Sequence, residues 1–307
     1  MTGQSRHSSP AGQHPPAPPH WIGAVREQGL AAAAFRSGAA LAALHPWVAA
    51  PRDDLPQALL RDRLALRAAE ACVMLSGRTE RAAELRDEVH LARPGETPGP
   101  AGRIFALWRK AAVVPLRGRW QARLAEFLPE TVVAVTDGPM TGADPVAGAV
   151  DRLARLLAEY PHEEPAAMIL ADASLASALG WERLVPLFAL RLSRRDLRAG
   201  RAELHMAAHR AVAAAAVEAA RSADSLTHRA ARLRAVAPRL RARGAADAVA
   251  LFLSEDALSP AIALSPVIRG RATPMSDRAA RRLCDRLVAL GAVQELTGRA
   301  SFRLYGL

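Results

Sequence analysis

Residues 276–307 read SDRAARRLCDRLVALGAVQELTGRASFRLYGL, and this stretch decides the fold of the last part of the chain. Its first half predicts an amphipathic helix, because Leu283 and Leu287 recur at a one-turn spacing while arginines occupy the other faces. Ser276 is a favourable N-cap and Gly291 is a favourable stop signal. We therefore expect the helix to run between these two residues.

The residues beyond Gly291 have the pattern of a β-hairpin. Residues 293–296 and 301–305 alternate like two short strands, and a turn that contains Gly298 joins them. A further short helix is expected at residues 245–253 (AADAVALFL). This order of elements resembles the last helix and wing of bacterial winged helix-turn-helix proteins. The resemblance implies a helix that enters the DNA major groove and a wing that touches the backbone or minor groove, although such modules also dock proteins.

The positive charge of the chain is concentrated toward its end. The formal net charge is +11 over 307 residues, and residues 225–307 hold fourteen arginines against six acidic residues. A basic surface of this kind favours a polyanionic partner such as DNA. High-GC codon usage also produces arginine in place of lysine, and Lys110 is the only lysine, so the total charge alone decides nothing.

The predicted DNA contacts are arginines of the helix and the wing. Arg278, Arg282 and Arg286 recur every fourth residue and would form one row along the helix. The full predicted set is Arg278, Arg281, Arg282, Arg286, Arg299 and Arg303. An alternative interpretation is that Arg281 pairs with the acidic residues one turn away on either side and merely solvates the helix.

The rest of the chain is predicted to be mainly α-helical. Only 4% of its residues are aromatic, and alanine and leucine, both strong helix formers, dominate. We expect a disordered Pro-rich leader at residues 1–20, a multi-helix domain at 21–243 and the small winged helix-like module at 244–307. Within the helical domain, residues 131–135 are expected to form a short strand and residues 184–192 a buried helix.

Individual residues suggest how the helical domain packs. Asp53 and Asp54 precede an apolar run and are expected to cap the helix that follows. Four tryptophans are expected to anchor a core that is otherwise aliphatic, namely Trp47, Trp108, Trp120 and Trp181.

The sequence predicts a cytoplasmic protein. No stretch is long and apolar enough to span a bilayer, so no membrane contact is expected. Residues 1–20 lack the apolar run of a signal peptide. Cys72 and Cys284 are far apart in sequence, and the simplest interpretation is a reducing compartment with buried thiols.

No constellation of residues predicts a reaction, a metal or a cofactor, so none is expected. His205 and His209 are one helical turn apart, a spacing that lets two imidazoles share a metal, but no third ligand is evident in the sequence. The glycine- and proline-rich loop at residues 94–102 lacks the spacing of a phosphate-binding loop and follows a helix rather than a strand.

Three blocks of sequence resemble one family across nearly the whole chain. They are GRTERAAELRDEVHLARPGETPGPAGRIFALWR at 77–109, RAARLRAVAPRLRARGA at 229–245 and ELTGRASFRLYGL at 295–307. They are similar to an uncharacterised alphaproteobacterial group, the domain-of-unknown-function family 1403. The resemblance implies a bacterial protein and brings no activity, substrate or catalytic residue.

The combination of a helical lobe and a C-terminal winged helix is also similar to Fic-type proteins. Those enzymes move a nucleotidyl group with a histidine followed by a Gly-Asn-Gly-Arg anion loop. The nearest residues here are His90 and the pair Gly102-Arg103, but the spacing differs and the asparagine is absent. We therefore expect, at most, a degenerate relative without that activity.

The leading hypothesis from sequence is a DNA-binding accessory or transcription-regulatory protein that contacts double-stranded DNA through its C-terminal module. In that hypothesis the helical lobe would form a homodimer or receive a signal. One alternative is a protein-interaction adaptor whose arginines meet an acidic surface on a partner. The other is the degenerate Fic-like relative.

Overall fold

The computed structural model describes residues 14–24, 29–92, 95–265 and 275–307. Over these residues the fold is mainly α-helical, which confirms the predicted class. The helices are α1 (Trp21–Ala24), α2 (Leu30–Val48), α3 (Gln57–Leu75), α4 (Ala82–His90), α5 (Pro100–Ala112), α6 (Trp120–Ala125), α7 (Glu130–Ala134), α8 (Pro145–Glu159), α9 (Glu164–Ala178), α10 (Arg194–Leu197), α11 (Arg201–Val236), α12 (Ala245–Phe252) and α13 (Asp277–Ala289). A 3₁₀ turn at Ala237–Arg239 follows α11, a π-helical turn spans Pro260–Leu264, and two short strands are β1 (Gln294–Glu295) and β2 (Tyr305–Gly306).

Helix α11 is the central element of the helical part. It has 36 residues, which corresponds to a length of about 54 Å at 1.5 Å per residue. Its buried face is rich in alanine, including Ala208, Ala215 and Ala219, which are fully buried. Small side chains allow α2 to pack closely along it, and α3 and α8 contact it as well. None of the helices in the described ranges combines the length and apolarity that crossing a membrane requires.

A capping side chain sets the start of α8, and several residues predicted to lie in the core are buried. Asp144 caps α8, since its carboxylate accepts the backbone N–H groups of Val146 and Ala147 at 2.8 and 3.0 Å. The four tryptophans predicted to anchor the core are all buried. Cys72 and Cys284 are free, buried thiols, and burial raises the pKa of each thiol to about 12.

Two local predictions in the helical part were wrong. Residues 131–135 form most of α7 and the residue after it rather than a strand, because Pro129 and Glu130 start a helical turn that buries Val132 and Val133. Asp53 and Asp54 do not cap α3, which begins at Gln57. Asp54 instead accepts hydrogen bonds from Arg52 at 2.7 and 3.0 Å, and these lower the pKa of its carboxyl.

The predicted helix at residues 184–192 is also absent, and a buried carboxylate explains why. Asp172 lies in the middle of α9 and is fully buried. Its side chain accepts the backbone N–H groups of Leu187 and Phe188 at 2.8 and 2.9 Å. Those N–H groups are therefore satisfied without a helical turn. The segment runs over α9 in an irregular conformation while still burying its apolar side chains.

The described part of the Pro-rich leader, residues 14–20, lies against the helical core. Pro15 is buried, and the His14 ring meets the Trp47 ring edge-on, with centroids 5.1 Å apart. The His14 Nε2 atom is 2.5 Å from a carboxylate oxygen of Asp224 on α11. Residues 1–13 of the predicted leader lie outside the described residues.

A buried network of ion pairs joins the C-terminal module to the helical part. The carboxylate of Asp256, 2% exposed, accepts Nε–H groups from Arg63 at 3.0 Å and from Arg86 at 2.6 Å. Asp62, 7% exposed, accepts the backbone N–H of Asp256 at 2.8 Å and pairs with Arg109. Burial is the main cause of the raised pKa of the Asp62 carboxyl.

The chain terminus closes this network. The guanidinium of Arg63 donates a second hydrogen bond to the oxygen of Leu307. Helices α3, α4 and α5 therefore hold both the segment after α12 and the last residue of the chain. The relative position of the two parts depends on ion pairs whose carboxylates, those of Asp62 and Asp256, are buried.

Replacing Asp256 by asparagine should destabilise the protein strongly. The change leaves Arg63 and Arg86 half-buried without their counter-ion, and removing one partner from a buried ion pair costs about 3–5 kcal/mol. The free energy of unfolding from urea titrations measures the effect. The control is Glu182→Gln, which breaks the exposed pair between Arg117 and Glu182 and should cost at most about 1 kcal/mol. Equal losses in the two variants would contradict the role given to the network.

Asp172 should give the protein a pH-dependent stability. Burial raises the pKa of its carboxyl to about 7, against the lowering by its three backbone N–H donors. Because the folded pKa lies above that of the unfolded chain, the folded state holds the extra proton between pH 4 and 7, and the contribution of this group to stability falls as pH rises.

Asp172→Asn keeps an oxygen acceptor and removes the ionisation. We expect the unfolding free energy of the wild type, minus that of this variant, to decrease from pH 4 to 7 and to level off above pH 7. Urea titrations of both proteins at several pH values measure this difference. Because the two proteins share every other ionisable group, the pH dependence of those groups cancels and only that of position 172 remains. A difference that does not vary with pH would show that the carboxyl is ionised throughout.

Candidate nucleic-acid interface

The C-terminal module is built around α13, and its buried side chains hold the helix in place. Ser276 accepts the backbone N–H of Ala279 at 3.3 Å and so caps the helix, as predicted. Gly291 ends it with a φ of 64°, a conformation that favours glycine. Leu283 and Leu287 are buried against the module. The face of α13 that carries arginines is consequently turned outward.

The order of elements around α13 is helix, extended residue, π-helical turn, helix and hairpin. Helix α12 is followed by Leu258, which forms an antiparallel bridge to Tyr305 of β2. The strands β1 and β2 pair antiparallel, with Gln294 opposite Gly306 and Glu295 opposite Tyr305. The backbone N–H of Leu258 donates to the Tyr305 carbonyl at 2.8 Å, and the reverse bond is 3.0 Å long. Leu258, β2 and β1 thus lie side by side.

The hairpin is shorter than predicted. Residues 301–305 were expected to form a return strand, but β2 contains only Tyr305 and Gly306. Phe302 adopts a φ of 52°, so the chain turns at this residue instead of extending. Its ring is 72% exposed, which places an uncovered aromatic side chain near the tip of the hairpin.

The six arginines predicted to contact DNA fall into two groups. Arg278, Arg282 and Arg286 are exposed on α13 and, within the described ranges, have no acidic partner within ion-pair distance. The other three are engaged by neighbours. Arg281 pairs with Asp277 at 2.7 Å, which is the alternative that the sequence left open.

The two predicted wing arginines bond to the protein itself. Arg299 donates to the carboxylate of Asp87 on α4 at 2.8 Å and to the carbonyl of Phe302 at 3.1 Å. Arg303 donates to the carbonyl of Arg299 at 2.9 Å. A hydrogen bond with Tyr305 is the main cause of its raised pKa, so this guanidinium stays charged.

A groove between the end of α11 and the start of α13 brings further arginines into the site. The groove has a volume of about 850 Å³ and is lined by Arg239, Leu240, Arg241, Ala242, Arg243, Met275, Ser276, Ala279, Arg282, Leu283 and Arg286. We call its five arginines, at positions 239, 241, 243, 282 and 286, the arginine groove. No acidic residue is among its described lining residues, and none of the five arginines forms an ion pair with another described residue.

The sequence did not predict the side of this groove that residues 239–243 form, directly after α11. The sequence pattern of residues 225–243 predicts an Arg-rich helix with a break or kink at Pro238, and the run RLRAR at 239–243 would be its last part. In the structure the helix ends at Val236 and a 3₁₀ turn follows, because Pro238 cannot continue the hydrogen-bond ladder. The irregular backbone then presents Arg239, Arg241 and Arg243 beside α13. The alternating arginines after a proline were the signal that could have identified them.

The histidine pair of α11 does not form a metal site. His205 Nε2 bonds to Asp151 on α8 at 2.9 Å, whereas His209 Nδ1 lies 2.8 Å from the Ser37 hydroxyl on α2. Because the Ser37 hydroxyl donates to the Ala34 carbonyl at 2.9 Å, it accepts the ring N–H of His209. The two imidazoles face different partners and join α11 to its neighbours.

The loop at residues 94–102 does not form an anion cradle in its described residues. The backbone N–H of Gly102, at the start of α5, donates to the carboxylate of Glu88 at 2.8 Å. A Cβ at Gly102 would meet that carboxylate at 2.5 Å. A protein carboxylate therefore takes the position at the helix N-terminus where a phosphate would bind. His90 is buried behind it, 3.9 Å from Glu255.

Comparison with known proteins agrees with the three sequence blocks. Residues 6–307 match the model of a family described as Protein of unknown function (DUF1403). Searches among curated proteins and among solved structures found no match. Because the family model covers nearly the whole chain, the protein belongs to the DUF1403 family of proteins of unknown function.

Proposed function

We propose that this protein binds double-stranded DNA through its C-terminal module, which acts as a winged helix. The observation that carries the proposal is the arginine groove, where five arginines line one surface and no acidic residue is among the described lining residues. Arginine is always charged, and its planar donors suit phosphate oxygens. Like charges gathered at one place repel each other, so their juxtaposition favours a partner that brings negative charge.

The arrangement of the module supports this proposal. Helix α13 has 13 residues and is therefore about 20 Å long, and the major groove of B-DNA, about 12 Å wide, admits a helix. The bridge between Leu258 and Tyr305 supplies the third extended stretch that a winged helix places beside its hairpin. With α13 in the major groove, Arg278, Arg282 and Arg286 would face bases or phosphates.

The segment after α11 would contact the sugar-phosphate backbone next to α13. Arg239, Arg241 and Arg243 lie on the opposite side of the arginine groove from Arg282 and Arg286. Contacts from both sides would mostly be to phosphates, which position a protein but do not read sequence. Binding should therefore depend steeply on salt and weakly on sequence. Arg299 would join only after leaving Asp87.

Affinity for a random duplex should fall with salt in proportion to the number of arginine–phosphate contacts. With about five contacts, the slope of log K against log salt should be about −4 to −5. Arg241→Gln and Arg282→Gln should each reduce the slope by about 1. Fluorescence anisotropy of a labelled duplex across a salt series measures the slope. The matched control is Arg195→Gln, an exposed arginine of α10 outside the groove, which should leave the slope unchanged.

If the affinity for the duplex depends neither on salt nor on the two groove substitutions, the DNA proposal is wrong. That result would favour a second candidate function, a protein-docking module. Two exposed apolar side chains support that candidate, namely Phe302 near the hairpin tip (72% exposed) and Val288 on α13 (39% exposed). A partner retained after nuclease treatment, and lost with Phe302→Ser, would establish it.

Asp87→Asn should strengthen DNA binding. The substitution removes the carboxylate that holds Arg299 and leaves this guanidinium for a phosphate. We expect the salt slope to steepen by about 1, measured in the same anisotropy assay. The double variant Asp87→Asn/Arg299→Gln should lose this gain. If the double variant binds as tightly as Asp87→Asn, Arg299 makes no contact with DNA.

A further inference from the structure

Three potential metal ligands from two distant parts of the chain meet on the surface of α11. They are His14, Asp224 and His228, and one ligand atom from each lies within 4.8 Å of the others. The His14 Nε2 atom is 2.5 Å from Asp224 Oδ1, and the His228 Nε2 atom is 3.6 Å from the same oxygen. The carboxylate therefore stands between two imidazoles.

These separations suit a tetrahedral ion. Zinc binds imidazole nitrogen and carboxylate oxygen at about 2.0–2.2 Å, so two ligands in a tetrahedron lie about 3.4 Å apart. The two measured distances lie on either side of that value. Small rotations of side chains that are at least partly exposed would bring the three ligand atoms around one ion.

The fold positions all three side chains independently of any ion. Asp224 and His228 are one turn apart on α11 and so share a face of the helix. His14 is held by its neighbours, since Pro15 is buried and the His14 ring packs edge-on against Trp47. The ring centroids of His14 and His228 are 5.6 Å apart.

One cation close to the cluster, Arg52, already has a carboxylate partner. Arg52 lies over the Trp47 ring, with its central carbon 5.3 Å from the centroid. Its charge is balanced by Asp54, whose carboxylate is 2.7 Å away. The one carboxylate of the cluster would reduce the charge of a divalent ion, and imidazole nitrogens favour zinc and similar transition metals over Mg²⁺ or Ca²⁺.

We propose that His14, Asp224 and His228 bind a divalent transition-metal ion of the zinc class. Three protein ligands leave a fourth position for water. The ion joins the N-terminal segment to α11 at a point 210 residues away in sequence. This site is independent of the arginine groove and does not rest on the proposed DNA binding.

Zinc titration of the full-length, tag-free protein against a chromogenic chelator tests the proposal. We expect one equivalent of Zn²⁺ to bind, and His14→Ala and His228→Ala each to weaken binding at least about tenfold. The matched control is His20→Ala, which removes an exposed histidine of the same segment and should leave the affinity unchanged. Substituting Co²⁺ should give the intense visible absorption of tetrahedral coordination, and both ligand variants should lose it.

Thermal unfolding shows whether a variant has lost only a metal ligand or has failed to fold. Without metal, the two ligand variants should unfold close to the wild-type temperature, because their side chains are exposed. Zinc should raise the unfolding temperature of the wild type and of His20→Ala only. Failure of the wild type to bind zinc would overturn the proposal, and so would equal binding by His14→Ala, since the ligands would then lie elsewhere.

Discussion

The carboxylates of Asp62 and Asp256 hold the two parts of the molecule together, and the rest of the structure depends on them. A carboxylate taken from water is costly unless it is paired and hydrogen-bonded. Asp256 meets two arginines, and Asp62 meets Arg109 and the backbone N–H of Asp256. These requirements can be met in one arrangement of α3, α4, α5 and the C-terminal module. The network therefore fixes the position of the C-terminal module relative to α3, α4 and α5.

The arginine groove exists because that position is fixed. Its two walls are the segment after α11 and the face of α13, which are about 40 residues apart in sequence. A module able to swing away would carry Arg282 and Arg286 away from Arg239, Arg241 and Arg243. Mutual repulsion of the arginines favours that separation, and the buried ion pairs oppose it. The buried ion pairs of Asp62 and Asp256 thus hold the two walls of the arginine groove together despite the like charges of its arginines.

The ends of α13 could be predicted from neighbouring residues, whereas features that depend on distant residues could not be predicted. Ser276 and Gly291 bound α13 through local backbone chemistry, so the sequence located that helix correctly. Residues 184–192 have a helical pattern, but their N–H groups bond to Asp172, which the pattern does not reveal. The same limit hid the approach of residues 239–243 to α13 and the meeting of His14 with Asp224.

Codon usage explains why the chain contains arginine rather than lysine, but it does not explain where the arginines find partners. In the helical part, Arg63, Arg86 and Arg109 are bound to buried carboxylates. In the groove, five arginines line one surface that has no acidic residue among its described lining. Paired arginines also lie on the surface, as the exposed pairs Arg117–Glu182 and Arg281–Asp277 show. The groove is therefore distinguished by the clustering of its five arginines, and the proposed binding of a polyanion rests on that clustering.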